Sequence, residues 1–484
     1  MTSRRLLIVL VACAVMAGCG SDANPPAPGS TLRATLRDAD GDGALERGPA
    51  EPLQDRNELG SPAPSTRTLA TLGIIADAHN RDEESPARVP FLDRFGEPVD
   101  STFRPHEALS AQVLDASVRA VRSQRPNALI VAGDLVDNAQ TNELDVALTV
   151  LRGGRVRPDS GAPSYDGVQR AGNADPLFYR PDTDAPRHPG LLERAQRPFI
   201  AAGVRTPILP VMGNHDLLVQ GELPPDARTR EIATGDRMVT ELRERPELPD
   251  GASSGAQRVA AIRAILATPQ LGPSRRVAAE PERRELRAGE VVRRLRNVAG
   301  VPGPSSSLDY AADMGSALRV LTLDAVDRAG GSGGVVSATQ VNWLRSEIER
   351  AGSRSVIVAS HQPLRSSRGG DAVLELLDES PAVIATVSGH THRHRIRPRR
   401  SASGGYWEIE TASLADHPQQ SRMLRLVSTG GGGRALETWV VDHDGAGLAG
   451  IARELAFLDV QGGRPRGLDA SRRDRNVRLG LRER

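Results

Sequence analysis

Residues 72–79 read LGIIADAH, a short apolar run that ends in an aspartate and a histidine. The apolar part has the composition of a strand that is buried on both faces of a sheet. Polar residues also follow four further runs of this kind, at residues 128–132, 207–212, 356–359 and 383–387. Open α/β sheets place their sites at the carboxyl ends of such strands. The sequence therefore predicts an α/β fold whose chemistry lies along one sheet edge.

Five motifs rich in histidine and aspartate follow these runs in order: Asp77-Ala78-His79, Gly133-Asp134-Leu135-Val136-Asp137, Gly213-Asn214-His215-Asp216, His361 and Gly389-His390-Thr391-His392. Their imidazole, carboxylate and amide groups suit Mn, Fe or Zn better than Ca or Mg. The candidate ligands divide into two sets, with Asp77, His79 and His392 for one metal and Asn214, His361 and His390 for another. Asp134 bridges the two metals, because a carboxylate has two oxygens to share. The motifs thus predict a site for two divalent metal ions.

Some residues in these motifs have more than one interpretation. His361, taken alone, is more typical of a buried structural histidine, and its place in the ordered set of motifs favours a ligand. Asp137 either hydrogen-bonds a ligand histidine or simply ends its loop. His394, two positions beyond His392, is predicted to be a solvated loop residue.

The motif order D-x-H, GDxxD, GNHD, H and GHxH resembles that of the calcineurin-like metallophosphoesterases, over roughly residues 70–442. The resemblance implies a four-layer αββα sandwich, in which two sheets lie between helices and the metals sit at the strand ends. It also implies that His215 is catalytic and faces the substrate, with Asp216 behind it holding the imidazole. A histidine near its ordinary pKa can stabilise phosphoryl charge or protonate the departing oxygen.

This chain differs from three branches of that family in their characteristic residues, and the differences disfavour the activities of those branches. Purple acid phosphatases use a tyrosine where this chain has Asp137. Ser/Thr protein phosphatases carry GDxVDRG and GNHE. This chain has Asn138 in place of the arginine of the first motif and Asp216 in place of the glutamate of the second. Five-prime nucleotidases of this superfamily add a C-terminal domain with stacking aromatics, and aromatic residues here total only 3%.

The activity that these motifs predict is hydrolysis of a phosphomonoester or phosphodiester, with a metal-bridging hydroxide attacking phosphorus in line. The alternative is an envelope lipoprotein that retains the metals and acts as a binding or scaffold protein without turnover. The complete motif set favours the enzyme.

Residues 1–18 predict a lipoprotein signal peptide. Arg4 and Arg5 precede an apolar stretch that is too short to span a bilayer permanently. The end of the stretch, Met16-Ala17-Gly18-Cys19, resembles a bacterial lipoprotein cleavage box, in which Cys19 becomes the lipidated first residue. The expected location is the extracytoplasmic face of the bacterial cell membrane, or otherwise a secreted state. Sec and twin-arginine export both stay open, as does an unmodified Cys19.

The remaining chain divides by composition. Residues 19–66 are rich in proline and glycine and predict a tether, in which Asp38-Ala39-Asp40-Gly41-Asp42-Gly43 favours a plain turn over a calcium loop. Residues 67–460 form the predicted catalytic domain, with insertions at about 152–198 and 217–304 that either cap the metals or decorate the surface. Residues 461–484 predict a disordered, arginine-rich tail.

Periodic segments predict the outer layers. Residues 337–350 and 107–123 each predict a helix that packs on a sheet, the first with Ser337 and Gln340 as a capping box. Within the second insertion, helical patterns cover residues 229–245 and 256–266. Late alternating strands at residues 406–410, 423–428 and 436–442 are predicted to complete the second sheet.

Charge and cysteine content limit the partners. The chain has 62 basic and 61 acidic residues, and every basic side chain is an arginine. A net charge of +1 does not indicate nucleic-acid binding, for which a strongly basic chain is typical. Of the two cysteines, Cys13 lies within the signal, so no disulfide is expected in the mature chain. The predicted partners are a small-molecule or lipid phosphoester and the membrane itself, while the oligomeric state stays open.

Overall fold

The computed structural model describes residues 27–41, 44–88, 103–240, 255–267, 272–459 and 470–482. The predicted signal peptide and Cys19 lie outside these residues. In the described ranges the strands are β1 Leu36–Arg37, β2 Glu46–Arg47, β3 Gln54–Arg56, β4 Ser65–Ile75, β5 Ala128–Val131, β6 Gly154–Val156, β7 Phe199–Ala201, β8 Ile208–Pro210, β9 Arg237–Val239, β10 Ser274–Arg276, β11 Tyr310–Met314, β12 Leu318–Leu323, β13 Ser355–Ser360, β14 Val383–Ser388, β15 Arg395–Arg399, β16 Tyr406–Glu410, β17 Gln420–Thr429, β18 Arg434–Asp442 and β19 Val477–Gly480.

The α-helices of the same ranges are α1 Ser110–Ser123, α2 Thr141–Arg152, α3 Leu191–Ala195, α4 Ala227–Thr234, α5 Gly255–Leu266, α6 Ala288–Ala299, α7 Ala338–Glu349, α8 Gly370–Asp378 and α9 Gly447–Leu458. In this part of the chain, no helix is both long enough and apolar enough to cross a lipid bilayer.

Two large mixed sheets form the centre of the described structure. The first has the strand order β3-β19-β18-β17-β4-β5-β8, and the second has the order β11-β12-β13-β14-β16-β15. In the first sheet β4, β5 and β8 run parallel. In the second sheet β12, β13, β14 and β16 also run parallel. The carboxyl ends of these strands therefore meet at one edge of each sheet, as the sequence predicts.

Alternating side chains divide the second sheet into two faces. Leu321 and Val358 point to a cluster that contains residues of α7 and α8. Their neighbours Val320 and Ile357 point to the main core, which both sheets share. Between the sheets, the Trp407 indole N–H donates to the Gly480 carbonyl at 2.9 Å. The period of two is that of a strand buried on both faces.

Helices cover the outer faces of both sheets. α1 packs against β4, β17 and β18 of the first sheet, and α6 packs against β8. α7 packs against β12 of the second sheet, with Leu344 fully buried. Its predicted capping box is present, since the Ser337 hydroxyl accepts the Gln340 N–H. These layers confirm the predicted αββα sandwich.

The predicted tail and tether are wrong in part. β19, within the predicted tail, is a largely buried strand between β18 and β3, so residues 477–480 belong to the first sheet. β3, within the predicted tether, pairs with it in parallel. Thr31 is also buried, and its hydroxyl donates to the Val440 carbonyl at 2.8 Å. Composition misled here because pairing across more than 400 residues leaves no local periodicity.

The late strands and the insertions also depart from prediction. β17 and β18 join the first sheet, not the second, since β17 pairs with β4. The helix predicted over residues 229–245 ends at Thr234, and β9 follows. α6 lies inside the predicted second insertion, yet it buries Val291, Val292 and Leu295 in the main core. That part of the insertion is therefore a layer of the sandwich and not a decoration.

Elsewhere the two predicted insertions pack against each other. A small apolar cluster joins Val168 and Phe178 of the first insertion to Met238 and Val277 of the second.

A plain turn is present where the sequence offered a calcium loop as the less favoured prediction, since the Gly41 N–H donates to the Asp38 carboxylate at 2.7 Å.

Candidate metal centre

The predicted ligands lie at the carboxyl ends of the parallel strands, in unusual backbone conformations. Five of them have a positive φ, in the left-handed region that non-glycine residues rarely adopt: Asp77 at 52°, His79 at 43°, Asp134 at 49°, His390 at 66° and His392 at 54°. A Cβ atom at Gly213 would lie 2.2 Å from Asp134 Oδ1, so only glycine fits there. Strain of this kind persists where the surrounding structure imposes it, and it concentrates at functional sites.

The first half of the centre consists of Asp77, His79 and His392, whose ligand atoms all lie within 4.8 Å of one another. The Nε2 atoms of the two histidines face each other at 3.4 Å. On their outer sides, His79 Nδ1 lies 3.0 Å from Asp137 Oδ1, and His392 Nδ1 contacts the Asp416 carboxylate. With Nδ1 carrying the hydrogen for these contacts, each ring would present a lone pair inward when it is neutral.

The second half consists of Asn214, His361 and His390, and Asp134 stands between the halves. His361 Nε2 is buried 2.9 Å from Asp134 Oδ2 but has no partner in hydrogen-bonding geometry. Its Nδ1 is 2.8 Å from the Ala132 carbonyl, so here too the inward nitrogen would be a lone pair when the ring is neutral. Asp134 Oδ2 also lies 3.9 Å from His79 Nε2. The carboxylate is therefore placed to reach both halves.

Backbone groups and one amide orient the remaining ligand of the second half. The Asn214 amide nitrogen donates to the Gly221 carbonyl at 3.1 Å. Its oxygen accepts from Gln362 Nε2 at 3.2 Å. The His390 ring packs edge-on against His361, with ring centroids 5.1 Å apart. The structure thus brings six of the seven predicted ligands into compact groups, and the Asn214 side chain contacts Gln362, which directly follows His361.

The aspartates make the centre attractive to positive charge. Burial opposes protonation of His361, yet the neighbouring Asp134 and Asp77 raise its pKa to about 9. Burial likewise opposes protonation of His392, while Asp77 and Asp416 raise its pKa to about 10. In contrast, burial and the neighbouring His215 lower the pKa of His79 to about 4. Carboxylates that stabilise protons on neighbouring rings stabilise divalent cations more strongly.

His215 lies at the junction of the halves, and the predicted role of Asp216 behind it is wrong. His215 Nδ1 lies 3.1 Å from both the backbone carbonyl and the carboxylate of Asp137. Asp216 instead accepts backbone N–H groups of Leu135, Val136 and Gly213 at 2.9, 3.2 and 2.9 Å. Asp216 therefore fixes the loop that carries Asp134, and Asp137 orients His215. The Nδ1–carboxylate distance is a product of tertiary packing, which the GNHD motif does not reveal.

Three residues that support the centre were missed by the sequence reasoning. Asp416 contacts His392 Nδ1, while Arg81 forks onto Asp137 at 2.7 and 2.8 Å and Arg104 binds Asp416. A usable signal existed for Asp416, since it follows β16 at the same sheet edge as the ligands. His394 was predicted to be solvated, but it is 4% exposed and its Nδ1 accepts from Arg422 Nη2 at 2.9 Å. Its place beside a buried arginine explains the difference.

The donor set fits divalent cations. Each half offers inward imidazole lone pairs beside a carboxylate oxygen, and a carboxylate or backbone acceptor fixes Nδ1 of His79, His361 and His392. Such buried nitrogen and oxygen atoms facing one another repel unless positive charge lies between them. A further group of His79, Asp134 and His215 is equally compact, so His215 lies within ligand distance as well as at the opening.

Comparisons with known proteins add little beyond the fold. No family model and no curated protein matches the sequence. Among solved structures, a dimetal phosphatase from Danio rerio is 13% identical, covers 78% of this chain and 97% of its own, and gives a TM-score of 0.40. A sulfate thiohydrolase from Thermus thermophilus, solved with glycerol, is 13% identical, covers 82% and 60%, and gives a TM-score of 0.31.

Both TM-scores are low, so neither structure carries an argument about this chain. Its own two central sheets, with helices outside them and aspartates and histidines clustered at the strand ends, agree with the fold that the motif resemblance implies.

Proposed function

We propose that this protein is a phosphoric ester hydrolase that uses two divalent cations, with Mn, Fe or Zn as candidates. Asp77, His79 and His392 would hold one cation, and Asn214, His361 and His390 the other, with Asp134 shared. The observation that supports this most directly is the face-to-face pair of His79 and His392 Nε2 atoms at 3.4 Å. When both rings are neutral and their outer nitrogens carry the hydrogens, two lone pairs face each other, and a cation between them would stabilise this arrangement.

Bound divalent cations supply Lewis acidity and lower the pKa of water beside a phosphorus centre. The protein's own contribution is to hold the acceptors and to assist the leaving group. The backbone N–H of His215 donates to Asp134 Oδ1 at 2.8 Å, which fixes one oxygen of the shared carboxylate. The His215 side chain is 13% exposed, whereas those of His79 and His361 are 4% and 0% exposed. The His392 side chain is 22% exposed but belongs to the first ligand set. His215 is therefore the partly exposed histidine outside both ligand sets, which is placed to meet a substrate and to protonate or stabilise its departing oxygen.

Phosphoesters suit this arrangement because their negative charge demands several convergent positive groups, and the centre gathers cations and an imidazole in one place. Gly221 lies against the His215 ring, since a Cβ there would come within 2.3 Å of its Nε2. The start of the second insertion thus borders the opening, which supports a cap role for that segment. Cys19, as a lipid anchor, would hold the enzyme at the outer face of the bacterial cell membrane.

The decisive experiment combines metal analysis with a substrate panel. Purified protein should contain two divalent metal ions per chain and hydrolyse p-nitrophenyl phosphate or its bis ester with Mn added. Chelation should remove the activity, and added metal should restore it. A protein that retains two metals but hydrolyses no ester on a broad panel contradicts the enzyme proposal and leaves a binding or scaffold role. Labelled palmitate incorporated by wild type but not by Cys19→Ser would support the anchor.

A further inference from the structure

Beneath the first half of the centre lies a buried glutamate, Glu107, that contacts three arginines. Arg88 forks onto it with Nε and Nη2 at 3.0 and 2.7 Å. Arg81 forms an ion pair with the same carboxylate, and the Arg104 backbone N–H donates to it at 2.9 Å. All four residues are less than 10% exposed. A charge-assisted contact in this setting is both strong and directional.

Two of these arginines continue to the histidines of one metal. Arg81 carries the contact from Glu107 to Asp137, which faces His79. Arg104 carries it to Asp416, where Nη2 donates at 3.1 Å, and Asp416 contacts His392. His79 and His392 belong to the first half, so both branches end on ligands of the same predicted cation.

The third arginine leads to the opening. Arg88 Nη1 donates to the Gln220 side chain at 3.1 Å, and Gln220 directly precedes the glycine that lies against His215. The network balances its own charge with three guanidinium groups and three carboxylates: Arg81, Arg88, Arg104, Glu107, Asp137 and Asp416. Charge balance allows such a group to be buried without losing its ionised form.

The second half has no comparable support among the described residues. His361 Nδ1 is fixed by a backbone carbonyl, and Asn214 by a backbone carbonyl and Gln362. The position of a backbone acceptor is fixed by the backbone itself and needs no further side chain. The orientation of the first half therefore depends on distant charged side chains, and that of the second half does not.

We propose that Glu107 is a positioning residue which, through Arg81 and Arg104, orients His79 and His392 and so sets the metal affinity of the first half separately from the second. This inference rests on the proposed function only for the presence of the two cations. It predicts that a change at Glu107 alters one metal site and spares the other.

The test measures metal affinity in two backgrounds. His361→Ala removes a ligand of the second half, and His392→Ala removes a ligand of the first. Each metal-depleted protein is titrated with Mn²⁺ by calorimetry or by electron paramagnetic resonance, with and without Glu107→Gln. Glu107→Gln should weaken the remaining Mn²⁺ by about 10- to 100-fold in the His361→Ala background. In the His392→Ala background the affinity should change by less than about twofold.

Glu437→Gln is the matched control. Glu437 is also buried among two arginines and a hydroxyl, Arg425, Arg478 and Ser65, but these contacts lie within the first sheet and do not continue to the metal ligands. It should leave Mn²⁺ affinity unchanged in both backgrounds. Arg104→Lys provides a second variant that keeps the charge and loses the fork, and it should weaken the first half less than Glu107→Gln does.

Equal weakening in both backgrounds, or none in either, overturns the positioning role. If Glu107→Gln does not fold, as judged by circular dichroism, the comparison is made with Arg104→Lys alone and the same two outcomes decide it. Hydrolysis of esters is not part of this measurement. A wild type that binds two Mn²⁺ but shows no turnover therefore contradicts the proposed function while the Glu107 result stands.

Discussion

The two halves of the metal centre are built from similar ligands but are held in place differently. In the first half, the outer nitrogens of His79 and His392 face the carboxylates of Asp137 and Asp416, which arginines hold in turn. In the second half, the outer nitrogen of His361 faces a backbone carbonyl. The orientation of the ligands in the first half therefore depends on side chains from distant segments, whereas that of His361 depends on the backbone of the sheet.

The largest effect is expected where the halves meet. Asp134→Asn removes the charge shared by both, so both cations should bind weakly and turnover should fall by about 10³-fold or more, since bound cations contribute several kcal/mol to catalysis. Elemental analysis and ester hydrolysis measure the two consequences. Full activity with two metals retained would refute the shared role of Asp134.

A smaller loss is expected for His215→Ala, because His215 belongs to neither set of proposed ligands. The metal content should stay at two, while the rate falls by about 10²- to 10⁴-fold. The fall should be largest for alkyl esters, whose leaving groups are basic, and smaller for p-nitrophenyl esters. Equal losses for both substrates would remove the leaving-group role, and loss of one metal would instead make His215 a ligand.

A comparison of Asp137→Asn with Asp216→Asn distinguishes a residue that orients ligands of the first half from a residue that stabilises a loop. Asp137→Asn should weaken one metal by about 10- to 100-fold and lower the rate, because it faces both His79 and His215. Asp216→Asn should keep both metals and lower the free energy of unfolding by about 1–3 kcal/mol, since an amide nitrogen would then face backbone N–H donors. Metal titration and thermal melting distinguish the two. The reverse pattern would restore Asp216 as the partner of His215.

The smallest effect is expected at Glu83, beside the charged network of the first half. Burial and the neighbouring Asp82 raise the pKa of Glu83 to about 8. A carboxyl whose pKa is higher in the folded than in the unfolded state makes stability fall as the pH rises from about 4.5 to about 8. Glu83→Gln should therefore raise the melting temperature by a few degrees at pH 9 and hardly at all at pH 5, at constant metal concentration. A difference that does not vary with pH would exclude ionisation as the cause.

The strands and the ligands were predictable because their signals are local. β16 has the predicted bounds, and each ligand motif begins within a few residues of the end of a strand. A buried strand needs a continuous apolar run, and a metal needs specific donor atoms, so both leave their mark within a few residues. The capping box of α7 was predictable for the same reason.

The residues that orient the ligands or their loops were not predictable from local signals. Asp416 lies 24 residues beyond His392, and Arg104 lies 312 residues before Asp416. No spacing rule relates charged residues at such separations. Asp216 was assigned to His215 because it is adjacent in sequence, yet the turn directs its carboxylate to backbone N–H groups instead.

The sequence by itself determined the buried strands that precede the ligand motifs and the identity of the donor atoms. Tertiary structure alone decided that residues 477–480 join the first sheet, that Asp137 rather than Asp216 faces His215, and that Glu107 lies beneath two of the ligands. The physical reason is the range of the interactions. Apolar periodicity and ligand chemistry are properties of neighbouring residues, whereas the orientation of a buried ring is fixed by whichever acceptor the folded chain brings to its far side.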